Sequence, residues 1–215
     1  MKFQTHSHRH GDIILKEGGY SSQYQEVLDV ISGISDQDIL EKYGKEYLGH
    51  MSLSHVINDL LRERFVEKGW TKEAPIFQEE GFKSKKWRLD FAKGDISIEV
   101  GFNHGEAIAW NLIKPVLASE RNNVKKAIQT KVGIVICVTK ALKSAGGFDG
   151  AVGEFEKIKR YLEPLNTVLT VPMMLIGLEA PETFMMKKTK VNNRSVGEVV
   201  SLTIDGFTAS ATKVN

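Results

Sequence analysis

Two apolar segments constrain the fold of this 215-residue chain more than any other feature. Val132–Val138 and Met173–Gly177 contain no charged residue and no polar alternation, whereas a strand with one face in water alternates apolar and polar side chains. Strands of this kind occur where both faces of a sheet are covered. Along the chain, helical patterns come first, then a hairpin, and then a helix, a strand, a helix and a strand. The sequence therefore predicts an α/β fold with a mixed central β-sheet flanked by helices.

Helices are predicted where apolar residues recur at helical spacing, and strands where they alternate. The predicted helices are Ser22–Ile31, Asp36–Tyr43, a segment capped by Ser52 or Ser54 that ends at Gly69, Glu106–Leu117 with an interruption at Pro115, Glu120–Gln129 and Gly153–Leu162. The further predicted strands are Ile76–Gln78, Trp87–Phe91, Ile96–Phe102 and Val199–Ile204. Only a short turn separates Trp87–Phe91 from Ile96–Phe102, so these two strands are expected to form a β-hairpin.

Composition narrows the class of protein without naming a function. The chain has 29 Lys and Arg against 27 Asp and Glu, and its net charge of +2 excludes a polycationic protein that coats nucleic acid. The single cysteine, Cys137, cannot support a disulfide framework or a cysteine-rich zinc site. No apolar run reaches the length of a membrane span and the N-terminus is too polar for a signal peptide, so we expect a cytoplasmic location. We also expect one domain over residues 1–215, with the basic segment 182–215 as an extension.

The predicted hairpin carries the acidic residues of greatest chemical interest. Asp90 lies on its first strand and Glu99 on its second, across a tight turn. Two carboxylates with a backbone carbonyl such as that of Val100 form the oxygen set that Mg²⁺ prefers. A metal there can lower the pKa of a water ligand and offset negative charge on a phosphate. The spacing alone leaves two interpretations open: a catalytic pair of metal ligands, or strand residues that are solvated or ion-paired.

Several sequence blocks in a fixed order resemble a known enzyme family. Asp90 and, nine positions later, Glu99-Val-Gly-Phe resemble the split acidic motif of the PD-(D/E)XK nuclease fold. The BglII and BstYI group of type II restriction endonucleases is similar in the blocks Leu53–Trp70, Leu89–Phe91, Ile98–Phe102, Val135–Lys140 and Val171–Leu178. The resemblance implies a homodimeric, Mg²⁺-dependent endonuclease that cuts a short palindromic site in double-stranded DNA. It also implies that Asp90 and Glu99 are catalytic and bind the metal with Val100.

One position departs from the motif of that family. The residue two places after the glutamate is usually Lys, Glu or Gln in the family, and here it is Gly101. Glycine cannot orient water or neutralise phosphate, so either a neighbouring side chain supplies that function or cleavage is lost. Lys93 is the nearby ammonium in the sequence, and His104 and Glu106 follow the strand. A further explanation is that the DNA backbone approaches Gly101 closely.

The same resemblance indicates which segments face the DNA. They are Asn103-His104, directly after the second hairpin strand, and the glycine-bounded loop that contains Asp149. Asn103 and His104 can donate to purine acceptors, and Asp149 can accept from a cytosine amine. Residues of these types also simply shape turns. Lys190 and Arg194 belong to a basic run that either contacts phosphates or forms a solvated loop.

A histidine pattern near the N-terminus also has two interpretations. His6, His8 and His10 alternate, which is a spacing that can bind a transition metal. Histidines in a flexible N-terminal segment more often bind nothing specific. We expect the second case for this chain.

The leading hypothesis is a type II restriction endonuclease of a restriction-modification system, acting as a C2 homodimer in which each subunit cuts one strand. The helices around Leu53–Phe65 and Glu106–Leu117 are candidates for the dimer interface. A six-base palindrome with a central GATC is the expected site, and a cognate DNA methyltransferase is the expected functional partner. Two alternatives stay open: a DNA-binding protein on the same fold without cleavage, which Gly101 motivates, and a repair or recombination nuclease with little sequence specificity.

Overall fold

The computed structural model describes residues 1–17, 19–121, 123–191 and 194–202. Within these ranges the chain forms eight strands: β1 Phe3–His8, β2 Thr71–Pro75, β3 Arg88–Lys93, β4 Ile96–Gly101, β5 Val132–Val138, β6 Met173–Leu178, β7 Phe184–Val191 and β8 Arg194–Ser201. The same ranges contain seven α-helices: α1 Gly11–Lys16, α2 Ser21–Ser32, α3 Asp36–Glu46, α4 Ser54–Glu67, α5 Ile108–Ser119, α6 Lys140–Ala145 and α7 Phe155–Leu162. Short 3-10 helices lie at Glu80–Phe82, Lys85–Trp87 and Gly105–Ala107.

Six of these strands form one mixed sheet in the order β1-β6-β5-β4-β3-β2. The pairs β4–β5 and β5–β6 are parallel, whereas β1–β6, β2–β3 and β3–β4 are antiparallel. Every residue of β5 and β6 is buried, as expected for central strands covered on both faces. The predicted α/β class, with a mixed central sheet flanked by helices, is confirmed.

Alternate residues of the central strands pack into two different helix layers. Ile134 and Ile136 of β5 join a core with α2, α3 and α4. Val135 and Cys137 join a second core, with α5 and α7 on the opposite face. The apolar alternate residues of β4 also face the first core. Glu99, which lies between them, therefore points toward the layer that contains α5.

Helix α4 uses its predicted apolar stripe to cover the first face of the sheet. Its buried residues are Val56, Ile57, Leu60, Leu61 and Phe65. The predicted cap is wrong, because Leu53 occupies the N-cap position. The Ser52 hydroxyl nevertheless accepts a hydrogen bond from the Ser54 N–H at 3.1 Å, which satisfies one free donor of the first turn.

The segment predicted as the helix Glu120–Gln129 is not helical in its described part. Two backbone hydrogen bonds of 2.9 Å instead join Lys125 and Ala127 to the segment Ile76–Gln78. The polar groups of this backbone are therefore satisfied by a neighbouring segment and not within a helical turn. The predicted strand Ile76–Gln78 is also displaced. The observed strand, β2, lies directly before it and ends at Pro75.

Two peripheral elements differ from the sequence expectation. The N-terminal segment is not flexible, because β1 pairs antiparallel with β6 along its whole length. Of the predicted strand Val199–Ile204, only Val199–Ser201 belong to β8, which begins at Arg194; Leu202 is not in a strand, and residues 203 and 204 lie outside the described residues. The hairpin β7–β8 is anchored because Phe184 and Met186 belong to the first core and Val199 packs against it.

Candidate active site

The β3–β4 hairpin brings Asp90 and Glu99 together. Phe91 pairs with Ile98, so Asp90 and Glu99 are the next neighbours across the two strands. The backbone N–H of Val100 donates to Asp90 Oδ2 at 2.7 Å, which holds that carboxylate against β4. The predicted hairpin is therefore observed, and it places both acidic residues at one point of the sheet. Their assignment as metal ligands stays a prediction.

Burial makes the charged forms of both carboxylates costly. Glu99 is fully buried, and Asp90 is partly buried. Burial and the nearby Asp90 carboxylate raise the pKa of Glu99 well above its ordinary value, and Lys114 opposes this rise. Burial also raises the pKa of Asp90, against the lowering influence of Lys114. Two neighbouring carboxylates that both resist ionisation form a site that favours a cation.

Helix α5 supplies an ammonium group that the sequence did not lead us to expect. Lys114 forms an ion pair with Glu99 Oε2 and donates to the Arg88 carbonyl oxygen at 3.1 Å, with its side chain only 9% exposed. The sequence did contain a signal, because Lys114 is the one charged residue of Ile108–Ser119. A lysine inside a buried apolar helix requires a partner. The predicted interruption at Pro115 is wrong, since α5 continues through it.

The space above Gly101 is closed by α5. Gly101 is buried, and a Cβ atom at this position would lie 3.1 Å from Asn111 Nδ2. Asn111 and Lys114 are neighbours on one helix face, because they are three residues apart. Glu99 and Gly101 share one face of β4. The structure thus favours a neighbouring side chain as the explanation of Gly101 over close approach of a DNA backbone.

Asp90 opens onto a cavity of about 240 Å³ with a positively charged rim. The rim, which we call the cationic mouth, consists of Arg62, Lys72, Lys85 and Arg88. The Nε atom of Arg88 is buried and has no hydrogen-bond partner in the described part of the chain. A buried guanidinium donor without a partner is available to an anionic oxygen of a ligand. The cavity therefore combines a carboxylate that favours cations with donors that favour phosphate.

A further carboxylate, Glu73, lines the same cavity from β2. Its φ angle of 51° lies in the left-handed region, which residues other than glycine seldom occupy. After burial, which is the larger cause, the charge of Glu73 also contributes to the raised pKa of Asp90. Backbone strain of this kind concentrates at functional sites. Glu73 is therefore a residue of the cavity that the sequence did not lead us to expect.

The donors of this site fit a hydrated Mg²⁺ better than a closed protein cage. Glu99 Oε1 is buried and accepts no hydrogen bond from the described residues. The Val100 carbonyl accepts from the Phe102 N–H at 3.2 Å and keeps a second lone pair. Within the described ranges, no group of three or more His, Cys, Asp and Glu side chains could hold a metal ion. Mg²⁺ is commonly bound by one or two carboxylates together with waters and a substrate phosphate, which matches Asp90 and Glu99.

Comparison with known proteins identifies the family. The profile of the family described as restriction endonuclease BglII/BglIII matches residues 3–178. The chain belongs to the BglII/BglIII family of restriction endonucleases. A crystal structure of restriction endonuclease BglII complexed with a DNA 16-mer has a TM-score of 0.64 and 20% identity, and the match covers 94% of this chain and 90% of that chain. Free BglII gives a TM-score of 0.52 and 17% identity, with 94% of each chain covered. No curated protein sequence matches.

Membership of the BglII/BglIII family confirms the resemblance to BglII that the sequence blocks indicate. It also confirms the predicted enzyme class, a type II site-specific deoxyribonuclease. The matched region includes the hairpin with Asp90 and Glu99, helix α5 and the strands β5 and β6. In the described part of the chain, no helix combines the length and apolarity needed to cross a bilayer.

The side chains considered as replacements for the missing group at Gly101 do not lie at the carboxylate pair. Lys93 Nζ instead forms an ion pair with Glu26 Oε2 at 2.7 Å and donates to the Lys68 carbonyl at 2.8 Å. These contacts tie the end of β3 to α2 and to the residue after α4. His104 and Glu106 are exposed, beyond the end of β4. The ammonium found at the site is the one that α5 supplies.

The two segments predicted to read bases lie side by side. The Gly105 N–H donates to the Ala151 carbonyl at 2.6 Å, which joins the segment after β4 to the loop after α6. Asn103, His104 and Asp149 are all exposed. Asp149 Oδ1 also accepts from the Ala151 N–H at 2.8 Å, so this side chain shapes its own turn. The structure thus brings the three residues into one region, and their contact with DNA stays a prediction.

A basic groove lies beside the same loop. Its cavity of about 590 Å³ includes Gly147, Phe148 and Gly150 in its lining. The lysines of this groove are Lys140, Lys143, Lys187 and Lys188. Lys190 is exposed farther along β7, and Arg194 begins β8, with its side chain outside the described part.

One of the N-terminal histidines, His8, has a structural role that the sequence pattern did not indicate. His8 is buried, and its Nε2 atom is 2.8 Å from the Leu169 carbonyl oxygen. His6 lies on the same strand, whereas His10 follows it in a left-handed conformation. None of the described residues forms a metal-binding group with them.

Proposed function

We propose that this protein is a type II restriction endonuclease that hydrolyses phosphodiester bonds in double-stranded DNA at a short palindromic site, with Mg²⁺ as its cofactor. The observation that carries this function is the pair of adjacent carboxylates, Asp90 and Glu99, of which Asp90 lines the cavity of the cationic mouth, in a chain of the BglII/BglIII family. A protein that only bound DNA would have no use for this pair, because two carboxylates repel an adjacent phosphate.

The reaction is the hydrolysis of one ester bond. The oxygen of a water molecule forms a bond to phosphorus, and the P–O bond to one sugar oxygen breaks. One water proton ends on the leaving oxygen as a hydroxyl group, and the other goes to the new phosphomonoester or to solvent. Mg²⁺, held by Asp90 and Glu99 with the Val100 carbonyl, supplies charge neutralisation of the phosphate and lowers the pKa of water. The cationic mouth binds the phosphate oxygens and fixes their orientation.

Sequence recognition involves the region beyond the carboxyl ends of β4 and β5. Asn103 and His104 donate to purine acceptors in the major groove, and Asp149 accepts from a cytosine amine. Lys190 and Arg194 contact phosphates, together with the basic groove. The support for this assignment is that Asn103, His104 and Asp149 are exposed and adjacent.

The wider biological setting follows from the function. The site is a six-base palindrome with a central GATC, and a cognate DNA methyltransferase protects the same sequence in host DNA. Such an enzyme acts in the cytoplasm, where the DNA is. The endonuclease domain spans residues 1–215, with the basic segment 182–215 as an extension.

A C2 homodimer is part of this function, because a palindromic duplex has two-fold symmetry and one active site reaches one scissile phosphate. The apolar stripe of α4 is used inside the subunit, so α4 contributes exposed side chains such as Val66, and α5 is the second candidate element. We expect light scattering to give the mass of two 24.0 kDa chains on a cognate duplex. A single chain both free and on the duplex would exclude the dimer.

Incubation of the purified protein with plasmid DNA tests the function directly. Discrete fragments are expected in Mg²⁺ and none in EDTA, and sequencing of the fragment ends then gives the recognition site. Retardation of the DNA in a gel without cutting in Mg²⁺ would instead support a DNA-binding protein. A smear would support a nuclease with little sequence specificity.

A further inference from the structure

The carboxylate pair has a buried cationic neighbour to which the proposed function assigns no role. Lys114 contacts Glu99 Oε2 and the Arg88 carbonyl oxygen, and its side chain is almost entirely buried. A buried ion pair is weak evidence for a purely stabilising role, because apolar residues of similar volume often serve as well or better. The position of Lys114 next to the two acidic residues therefore calls for a chemical explanation.

The hydrogen bonds of this pair are incomplete on both sides. An ammonium has three N–H donors, and the described contacts of Lys114 account for two acceptors. Glu99 Oε1 accepts no hydrogen bond from the described residues. A pair that serves only to stabilise the fold is expected to satisfy its buried polar atoms. Here one Lys114 donor and at least one Glu99 oxygen remain available to a ligand.

Lys114 also lies on the helix face that covers Gly101, where the family usually has a longer polar side chain. Glu99 and Gly101 share the face of β4 that α5 covers. A side chain at position 101 would extend toward α5, where its Cβ atom would lie 3.1 Å from Asn111 Nδ2, with Lys114 on the same helix face. Asn111 is thus the α5 side chain nearest to position 101, and the Lys114 ammonium lies at the neighbouring Glu99, on the same helix face.

We propose that Lys114 is a catalytic residue of this enzyme and that it supplies, from helix α5, the positive charge that the strand lacks at Gly101. This role rests on the proposed endonuclease function. Its ammonium holds Glu99 through one N–H and donates another N–H to a non-bridging oxygen of the scissile phosphate. Negative charge on that oxygen increases as the water oxygen approaches phosphorus, so a charged donor stabilises the transition state more than the ground state.

Three variants of Lys114 separate this role from a structural one. In Lys114→Met the charge and all donors are lost, and in Lys114→Gln the charge is lost while a donor remains. Both lose the positive charge at the phosphate and are expected to lower the single-turnover cleavage rate about 100-fold or more, the usual loss when one electrostatic group is removed from an active site. Gel retardation in EDTA should show that both variants still bind the same duplex, with a loss of affinity much smaller than the loss of cleavage rate, because the ammonium acts mainly in the transition state. Lys114→Arg, which keeps the charge in another geometry, should retain more activity than either neutral variant.

A second-site variant provides the decisive comparison. Gly101→Lys combined with Lys114→Met returns an ammonium to the same face of the sheet, and its Cβ atom alone requires the Asn111 amide to shift by a few tenths of an ångström. We expect the double variant to cleave at least about tenfold faster than Lys114→Met alone, because the lost charge is restored at the site. A lysine that only stabilised α5 would give no such recovery.

The matched control is Lys93→Met, since Lys93 forms an ion pair with Glu26 away from the site. It should cleave at the wild-type rate. Urea unfolding of every variant gives the folded fraction, and cleavage rates are compared per folded molecule. A Lys114→Gln protein that is folded and cleaves within about threefold of wild type, well short of the loss expected for an oriented donor, would overturn the role of Lys114 while the endonuclease function stands. Absence of cleavage by the wild type itself in Mg²⁺ would overturn both.

Discussion

Asp90→Asn and Glu99→Gln are each expected to lower the rate of DNA cleavage by about 10³-fold, which is the upper end of the loss usually seen for one electrostatic group of an active site. Both variants remove a negative oxygen from the site at which Mg²⁺ is proposed to bind, with little change in shape. Single-turnover cleavage of a supercoiled plasmid at saturating enzyme measures the effect. Asp95→Asn is the matched control, because Asp95 is paired with Lys131 in the turn of the same hairpin and its side chain is 37% exposed.

The affinity of these two variants for DNA without metal is expected to stay the same or to rise, whereas their cleavage rate falls. In EDTA the wild-type carboxylates repel the phosphate that the cationic mouth attracts, so neutral replacements should bind the duplex equally well or more tightly. Gel retardation without metal measures this. Cleavage by either variant at near the wild-type rate would end the assignment of that residue. Loss of binding together with cleavage would point to a positioning role for the carboxylate instead.

The central part of the fold was predictable because its residues are buried on both faces. Val132–Val138 was predicted with the bounds that the structure shows, and the strand predicted as Met173–Gly177 is one residue longer in the structure, because β6 ends at Leu178. Helix α4 was also recognisable, because a single apolar stripe faces one core. In these segments the local pattern and the tertiary environment impose the same choice of residues, which is the condition under which sequence periodicity is informative.

The strands at the edges of the sheet were not predictable, because contacts between residues distant in sequence decide their structure. β1 lies on one edge and pairs with β6, so its partner is about 170 residues away and its burial alternates weakly. β2 lies on the other edge and buries only Ala74 of its five residues. The predicted helix Glu120–Gln129 failed because backbone contacts with Ile76–Gln78 replaced its own turns. In each case the deciding hydrogen bonds join residues that are distant in sequence.

The candidate site likewise has one part that the local sequence predicts and one part that tertiary packing determines. The spacing of Asp90 and Glu99 on a short hairpin was sufficient to place the two carboxylates together, because a hairpin is a local structure. The ammonium at Glu99 comes from α5, fifteen residues later, and its distance depends on how that helix crosses the sheet. Lys93 is closer to the pair in sequence but lies at the other end of β3, where it contacts Glu26. Proximity in sequence therefore does not identify the ammonium that contacts Glu99.

The fold beneath the site depends on an aromatic contact between α4 and β3. Phe65 is fully buried, and its ring centroid lies 4.9 Å from that of Phe91, the residue after Asp90, and 5.6 Å from that of Trp70. We expect Phe65→Ala to lower the free energy of unfolding by about 3–5 kcal/mol, because the lost burial is accompanied by a cavity that its neighbours fill only in part. Urea unfolding followed by circular dichroism measures the change.

The adjacent residue provides the control for that experiment. Val66 lies on the same helix but is 44% exposed, so Val66→Ala should change the free energy of unfolding by no more than about 0.5 kcal/mol. Because Phe65 packs under the strand that carries Asp90, the cavity in Phe65→Ala should also loosen the position of that carboxylate. Cleavage per folded molecule is then expected to fall in Phe65→Ala. Equal stability of the two variants would show that α4 does not hold β3 through this aromatic contact.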